Sequence, residues 1–317
     1  MVKESMKLNA NGSRVPVRMI AVDMDGTLLG PDGKVSVRNQ AALLAAQEAD
    51  VEVVVASGRR HSFAARHLHD LGLRETSALV SSNGTVTRTL GGDLIQRTFL
   101  PVSTARWLCS YLNEFRGSLV VTFDKLGADG EDLRGALVVE EFDELHASIN
   151  KWMTANAPYI AQITPLEKAL EGEDPIQMMV CGPVDRMRRA ETLLLTHPGI
   201  STDIEPQEQI AHAEVSLHKT QYPERDLSIL DLLPPGCSKG SALSQLADLR
   251  GIPMEAVLAI GDNWNDVPMF EVAAHAVVMD NAPEDLKRHA ELKGWCLGKR
   301  FDQDGVAEAI EMALVDR

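Results

Sequence analysis

Asp23 and Asp25 stand two positions apart, directly after the apolar run Met19-Ile20-Ala21-Val22 and just before Gly26. A short apolar run of this kind reads as a buried strand. In an open α/β sheet, ligands collect outside the carboxyl ends of the strands, which is where both acids would then lie. Gly26 lets the chain turn sharply, so the direction of Asp25 does not follow from strand alternation. Two neighbouring carboxylates repel unless a cation lies between them or one is protonated, and oxygen-only ligation suits Mg²⁺. The plain alternative is an acidic strand-to-turn junction that binds nothing.

Further stretches have comparable chemistry. Ser57-Gly58-Arg59-Arg60 follows a β-branched run over 51–56 and precedes a helical pattern over 62–71. A hydroxyl, a glycine and two cations at a strand's carboxyl edge suit a phosphate group. Residues 77–82 read as a third short strand ending at Asn83-Gly84; Ser238-Lys239-Gly240-Ser241 opens a helix through Leu249; and residues 256–260 read as a buried strand ending in Gly261-Asp262-Asn263-Trp264-Asn265-Asp266. Taken singly, Ser57 is a turn residue and Asn83-Gly84 a turn. Asp262 and Asp266 are a helix cap and a first-turn acid, and Arg59 and Arg60 either reach a substrate phosphate or remain surface cations. Lys239 alone is a solvated lysine, although a helix start is a poor place for a cation without an anion nearby. Together they supply a nucleophile, an acid, phosphate donors, a cation and metal ligands, and phosphoryl transfer consists mostly of positioning and charge neutralisation. A carboxylate nucleophile is feasible because an acyl phosphate can form and then hydrolyse, dividing one hard step into two.

The elements that must position these groups alternate as strand, loop and helix in two blocks. In the first, Ser36 caps a helix through Asp50 with Val37, Leu43 and Leu44 as apolar positions, set between the strands at 19–23 and 51–56. The rhythm changes at Thr85. A hairpin over 85–98 is followed by a helix over 103–115, strands over 118–123 and 136–140, a helix over 142–155, a strand over 175–181 and a helix over 184–195 whose Arg186, Arg188 and Arg189 form a solvated face. The second block begins with a strand-like run at 227–233 and ends with a strand at 277–279 and helices over 283–290 and 305–314. This order predicts an α/β protein: a Rossmann-like doubly wound parallel sheet core made of residues 15–84 and 225–317, with an inserted α+β cap over 85–224.

A chain of 317 residues, 44% hydrophobic and 24% charged, can build two soluble domains. With 31 Lys+Arg against 46 Asp+Glu, its net charge of −15 argues against nucleic acid or an anionic membrane as partner. An anionic substrate must therefore be held by local positive charge. Four widely spaced cysteines (Cys109, Cys181, Cys237, Cys296) without a CxxC pair argue against zinc and a disulfide scaffold. The first 18 residues lack the apolar core of a secretory signal. No run of about 18 apolar residues is present to span a membrane, and the expected location is the cytoplasm.

In sequence order, Asp23-Met24-Asp25-Gly26-Thr27, Ser57-Gly58-Arg59, Lys239-Gly240 and Gly261-Asp262-Asn263-Trp264-Asn265-Asp266 resemble the four motifs of the haloacid dehalogenase superfamily hydrolases, specifically the Cof-type or IIB subgroup. The tail, Met279-Asp280-Asn281-Ala282 and Asp304-Gly305-Val306-Ala307, also resembles the subgroup's ending, with Asp280 where a glycine more often stands. The resemblance spans nearly the whole chain. It implies that Asp23 attacks phosphorus and becomes an aspartyl phosphate, and that Asp25 serves as general acid for the leaving alcohol, then as general base for water. It further implies Mg²⁺ held by the Asp23 carboxylate, the Asp25 backbone carbonyl and Asp262, with Asp266 supporting or ligating. Ser57 would donate to the phosphoryl oxygens, Lys239 would neutralise charge on Asp23 and the phosphoryl group, and Gly58, Arg59, Asn83 and Asn265 are the further candidates for phosphate or substrate contact. The implied activity is hydrolysis of a small phosphorylated metabolite, a sugar phosphate first. The alternatives are a nucleotide or cofactor phosphatase (flavin mononucleotide or pyridoxal phosphate), a phosphomutase, or a phospholigand-binding regulator. The insert is expected to contribute specificity. Trp264, inside the metal motif, either shields the site or packs under the cap.

Overall fold

The structure is a computed structural model that describes residues 15–142, 149–202 and 212–315. The chain divides into two compact units, one made of the segments up to Gln96 and from Lys239 onward, the other of Arg97–Ser238. It enters the first unit on β1 (Met19–Asp23) and continues through α1 (Val37–Glu48), β2 (Glu52–Ala56), α2 (His61–Ala65), β3 (Ala78–Ser81), β4 (Val86–Thr89) and β5 (Leu94–Arg97). The second unit contains α3 (Val102–Tyr111), β6 (Leu119–Thr122), β7 (Leu137–Val139), α4 (Asn150–Asn156), β8 (Ile160–Gln162), β9 (Gln177–Gly182), α5 (Val184–Leu194), β10 (Ile200–Thr202), β11 (Val215–Tyr222) and β12 (Leu227–Leu233). The chain then returns to the first unit with α6 (Lys239–Arg250), β13 (Val257–Gly261), α7 (Val267–Val272), β14 (His275–Val278), α8 (Glu284–Lys293), β15 (Cys296–Leu297) and α9 (Gly305–Leu314).

The first unit's sheet has the order β15-β14-β13-β1-β2-β3-β4-β5. It is parallel from β15 to β3, and β4 joins antiparallel. β1 lies near its middle, with Met19 in register with Val257 on one side and Glu52 on the other. Every residue of β1 is buried, which is why its sequence is continuously apolar up to Asp23: a parallel strand covered on both faces has no solvent side. Ile20 and Val22 pack with Leu43 and Ala46 of α1 and Val306 and Ile310 of α9. Met19 and Ala21 pack on the other face with Leu243 and Leu246 of α6, Phe270 of α7 and Leu286 of α8. The doubly wound α/β core is thus present.

Ser36 caps α1 by accepting from the Asn39 amide at 3.1 Å. Val37, however, is 84% exposed. It lies nine positions before Ala46, on the opposite side of a 3.6-residue helix, so the helix buries Ala42, Leu43 and Ala46 instead. The helical pattern expected over 62–71 is shorter, ending at Ala65 and followed by a 3₁₀ turn at His69–Leu71.

The second unit's sheet runs β10-β11-β12-β9-β6-β7-β8, antiparallel except for β10 with β11 and β7 with β8. Leu108 of α3 and Met187 and Leu194 of α5 cover one face of it, against Leu119, Val121, Met178, Val180 and Leu230. The division between units differs from the one expected at 84/85 and 224/225. β4 zips onto β3 from Ala78↔Thr89 to Ser81↔Val86 and stays with the first unit. β12 pairs along its length with β11, from Ser216↔Leu233 to Tyr222↔Leu227, and also with β9. The junctions therefore fall at Gln96/Arg97 and Ser238/Lys239. An apolar run such as 227–233 looks the same from either sheet, because only its pairing partners tell them apart. Of the helix expected over 142–155, residues 143–148 lie outside the described residues and the rest is α4. Among the described residues, no helix is long and apolar enough to cross a membrane, and none of the four cysteines is in a disulfide.

Candidate active site

The loops after β1, β2, β3, β13 and β14 and the first residue of α6 bring the polar groups together within the first unit. After β1 the chain turns tightly, with the amides of Leu28 and Leu29 both donating to the Met24 carbonyl, at 3.2 and 2.9 Å. Gly26 occupies the left-handed region at φ +83°, and a Cβ there would run into the Asp262 carboxylate, 2.9 Å from its Cγ. Both facts require glycine. The Thr27 hydroxyl donates to Asp262 Oδ1 at 3.0 Å. Asn281, just beyond β14, donates from Nδ2 to the Gly26 carbonyl at 2.8 Å and to Asp262 Oδ2 at 3.1 Å, while its own Oδ1 accepts from the Phe301 amide at 3.0 Å. Asp262 is thereby tied to the turn that carries Asp25.

Lys239 is fully buried, and its Nζ donates to Asp23 Oδ1 and to Asp266 Oδ1, each at 2.6 Å. Its position follows from Gly240, where a Cβ would overlap the Pro268 carbonyl of α7, so α6 approaches α7 closely only with glycine there. Asp266 completes the frame, because its Oδ2 accepts from the amides of Asp262 at 2.9 Å and Asn263 at 3.0 Å. Carboxylate oxygens of Asp23, Asp262 and Asp266 lie within 4.8 Å of one another, all three residues buried.

These three acids share one ammonium group, and the imbalance shows at Asp23 and Asp262. Burial first, and then the neighbouring Asp266 charge, push Asp23 up from 3.8 to about 7 against the opposing pull of Lys239. Burial and the charges of Asp23 and Asp266 hold Asp262 well above the usual carboxylate range. Burial opposes the charge on Lys239, but the Asp23 and Asp266 carboxylates outweigh it and its pKa is raised. Without a cation the cluster relieves this crowding by holding protons, and its closely spaced carboxylate oxygens are the donor set that a hard divalent cation such as Mg²⁺ takes in their place; on its chemistry the site fits that ion.

Asp25 is more open, its side chain 37% exposed. Arg59 grips both of its oxygens, Nε donating to Oδ2 at 2.7 Å and Nη2 to Oδ1. The Arg59 amide donates to Ser57 Oγ at 3.1 Å, and Ser57 is fully buried. The loop after β3 is stitched to this one: the Ser82 amide donates to the Arg59 carbonyl at 2.8 Å and the Asn83 amide to the Ser57 carbonyl at 3.0 Å. Ser82 and Asn83 both take positive φ, +48° and +53°, a conformation non-glycine residues adopt at some cost. Asn265 Nδ2 donates to Asn83 Oδ1 at 3.1 Å, and Gly58 lies against the same Asn83 amide.

Asp23, Asp25, Ser57, Gly58, Arg59, Asn83, Lys239, Asp262, Asn265 and Asp266 thus form one connected group. Arg60 is buried at the start of α2. Trp264 packs on His289 of α8, ring centroids 5.8 Å apart. Arg188 and Arg189 of α5 are exposed and paired with Asp185 and Glu114. Sequence reasoning did not single out Thr27 and Asn281 as supports of Asp262, nor His67, whose Nε2 lies 2.8 Å from Arg59 Nη1. Thr27 and Asn281 stood only inside quoted motifs, and nothing in the spacing announces His67.

The profile of the haloacid dehalogenase-like hydrolases matches residues 20–310. The chain is 29% identical over 315 residues to the 5-amino-6-(5-phospho-D-ribitylamino)uracil phosphatase YwtE of Bacillus subtilis, covering 94% of this chain and 98% of that one. It is 30% identical over 270 residues to the HMP-PP phosphatase of Serratia proteamaculans, covering 85% and 86%. Among solved structures it is similar to the HAD subclass IIB sugar phosphatase BT4131, with a TM-score of 0.70 at 19% identity over 93% of this chain and 98% of that one, a likeness of fold.

Proposed function

Since the chain belongs to the haloacid dehalogenase-like hydrolase family, we propose that it is a Mg²⁺-dependent phosphatase that hydrolyses a small phosphorylated metabolite, a sugar phosphate first, through an aspartyl phosphate on Asp23. The observation that carries this reading is the buried Lys239 pinned between Asp23 and Asp266, with Asp262 beside them and Asp25 one turn away. Asp23 is the nucleophile; Lys239 fixes its Oδ1 side and offsets the repulsion between the carboxylate and an incoming phosphoryl group. Asp23, Asp262 and the Asp25 carbonyl, with Asp266 in support, would hold Mg²⁺, which when bound would supply further charge neutralisation for the phosphoryl oxygens. Asp25 gives a proton to the leaving alcohol and later takes one from the water that cleaves the intermediate. Ser57, Gly58, Asn83 and Asn265 line the phosphate side, and Arg59 reaches it beside Asp25.

The relatives support the substrate class in words: one acts on a phosphorylated ribityl chain, a sugar-alcohol phosphate. The same substrate carries a uracil ring, which favours, as a second reading, a nucleotide-like or cofactor phosphate. A regulator that only binds phospholigands would not call for Asp25 and Lys239 in addition to an anion pocket. Four cysteines without a disulfide support a reducing compartment, the cytoplasm. The test is phosphate release from a panel of sugar, nucleotide and cofactor phosphates with Mg²⁺ and with a chelator. Release that needs Mg²⁺ and vanishes in Asp23→Asn supports the reading, and no release from any member sinks it.

A further inference from the structure

We propose that His67 is a positioning residue for Asp25, acting through Arg59; the inference rests on the phosphatase reading above. Arg59 has donors only. Two of its nitrogens are engaged by Asp25, and the third, Nη1, lies 2.8 Å from His67 Nε2. Nε2 must therefore be the bare acceptor of the ring. The ring's proton sits on Nδ1, which lies 3.2 Å from the Gly33 carbonyl and donates to it. One neutral tautomer satisfies both contacts, and the reverse tautomer satisfies neither. Burial, followed by the adjoining Arg59 charge, holds His67 below its ordinary pKa, in keeping with a neutral ring.

The far end of this chain of contacts is backbone. Gly33 belongs to a tight turn in which its amide donates to Gly30 and the Gly30 amide donates to Lys34. The guanidinium is also held from its face: its carbon lies 5.1 Å from the centre of the Phe63 ring, and that ring meets His67 edge-on, with centroids 6.1 Å apart. Arg59 is thus fixed on one edge by Asp25, on another by His67 and on a face by Phe63.

This matters because Asp25 is the most exposed carboxylate of the site and has two successive tasks. To meet first the leaving oxygen and then the water, its carboxyl group has to turn within the Arg59 fork. With Nη1 anchored on His67, the guanidinium keeps its place while Asp25 turns, and the carboxylate returns to the same position for the water step. Without the anchor the whole fork can swing, carrying Asp25 with it, and small misplacements of a reacting group are expensive in rate.

The experiment compares His67→Phe, which keeps a ring but removes the acceptor, with His67→Gln, which keeps one acceptor and one donor. We expect His67→Phe to lower kcat on an alkyl phosphate about tenfold with KM within about twofold. The loss should be smaller on p-nitrophenyl phosphate, whose leaving group hardly needs a proton, and His67→Gln should recover most of the rate. In an Arg59→Ala background, His67→Phe should cost nothing more, since the two act as one unit. Nitrogen NMR of the wild-type protein should show His67 neutral and protonated on Nδ1; protonation on Nε2 overturns the proposal whether or not any variant folds. A wild type that releases phosphate, with His67→Phe equally fast, overturns this inference and leaves the phosphatase reading intact. A wild type that releases none removes both.

Discussion

Stripped of divalent cations, the protein should lose stability as the pH rises, and Mg²⁺ should abolish that slope. The folded-state pKa of Asp23 is raised from 3.8 to about 7. An acid raised in the folded state stabilises the fold fully below its unfolded pKa, and the contribution is lost as pH climbs through the folded pKa. Between about pH 5 and about pH 8 roughly two pKa units of that interval are crossed, worth about 3 kcal/mol at 1.36 kcal/mol per unit. Asp262, raised by the same burial and by Asp23 and Asp266, acts in the same direction. Bound Mg²⁺ requires these carboxylates ionised, so it should hold them charged in the fold and release protons on binding, with an affinity that rises toward neutral pH. The assay is urea unfolding at several pH values across this range, in chelator and in millimolar Mg²⁺. The informative quantity is the difference between the two series, because groups distant from the site cancel in it. Parallel curves, or a metal effect as large at about pH 5 as at about pH 8, would refute the claim that the three buried acids are an under-compensated cation site.

Further outcomes follow from the same geometry. Asp23→Asn should abolish turnover while raising the metal-free stability above about pH 7, because it removes one of three clustered charges; equal turnover would exclude Asp23 as nucleophile. Lys239→Met should destabilise the metal-free fold by about 3–5 kcal/mol near neutral pH, the usual result of removing one partner from a buried pair, and by much less in acid, where Asp23 is protonated; thermal unfolding at the two pH values checks this. Gly26→Ala should cost at least about 1 kcal/mol in stability and more in activity, because it combines a positive φ with a collision against Asp262; a fully active variant would show that the Asp262 carboxylate is free to move.

The core of the first unit was legible because its signals are local. Continuous apolar runs ending in Asp23, Ser57 and Gly261-Asp262 mark parallel strands and their carboxyl edges, and Ser36 announces the start of α1. The gathering of those loop residues with Lys239 could be anticipated because every one of them ends a strand or opens a helix on the same edge. What stayed hidden depends on partners far away in sequence. Residues 227–233 have the composition of a core strand but pair with β11 and β9. β11 itself, Val-Ser-Leu-His-Lys-Thr-Gln-Tyr, is hidden because its apolar alternation stops after Leu217 and four polar residues in a row, His218 to Gln221, read as a loop. Val37 counted as apolar yet faces solvent. The grip of Arg59 on Asp25 and the reach of Asn281 to Gly26 and Asp262 are made across long separations, and no spacing rule announces such contacts.

The discontinuity of the first unit bears on how the chain comes off the ribosome. β1 emerges early with β2 and β3 to pair on one side, while its other neighbour β13 comes far later, and the lysine that neutralises Asp23 follows 216 positions behind it. For all of that interval the nascent sheet has an open edge at what will become its centre, the kind of unpaired edge that invites wrong partners. The inserted unit, contiguous from Arg97 to Ser238, has its own sheet and its own apolar core and can close first. A polypeptide cut short before β13 would therefore hold a finished insert beside a half-built catalytic sheet, and that half is the natural target for chaperones and proteases.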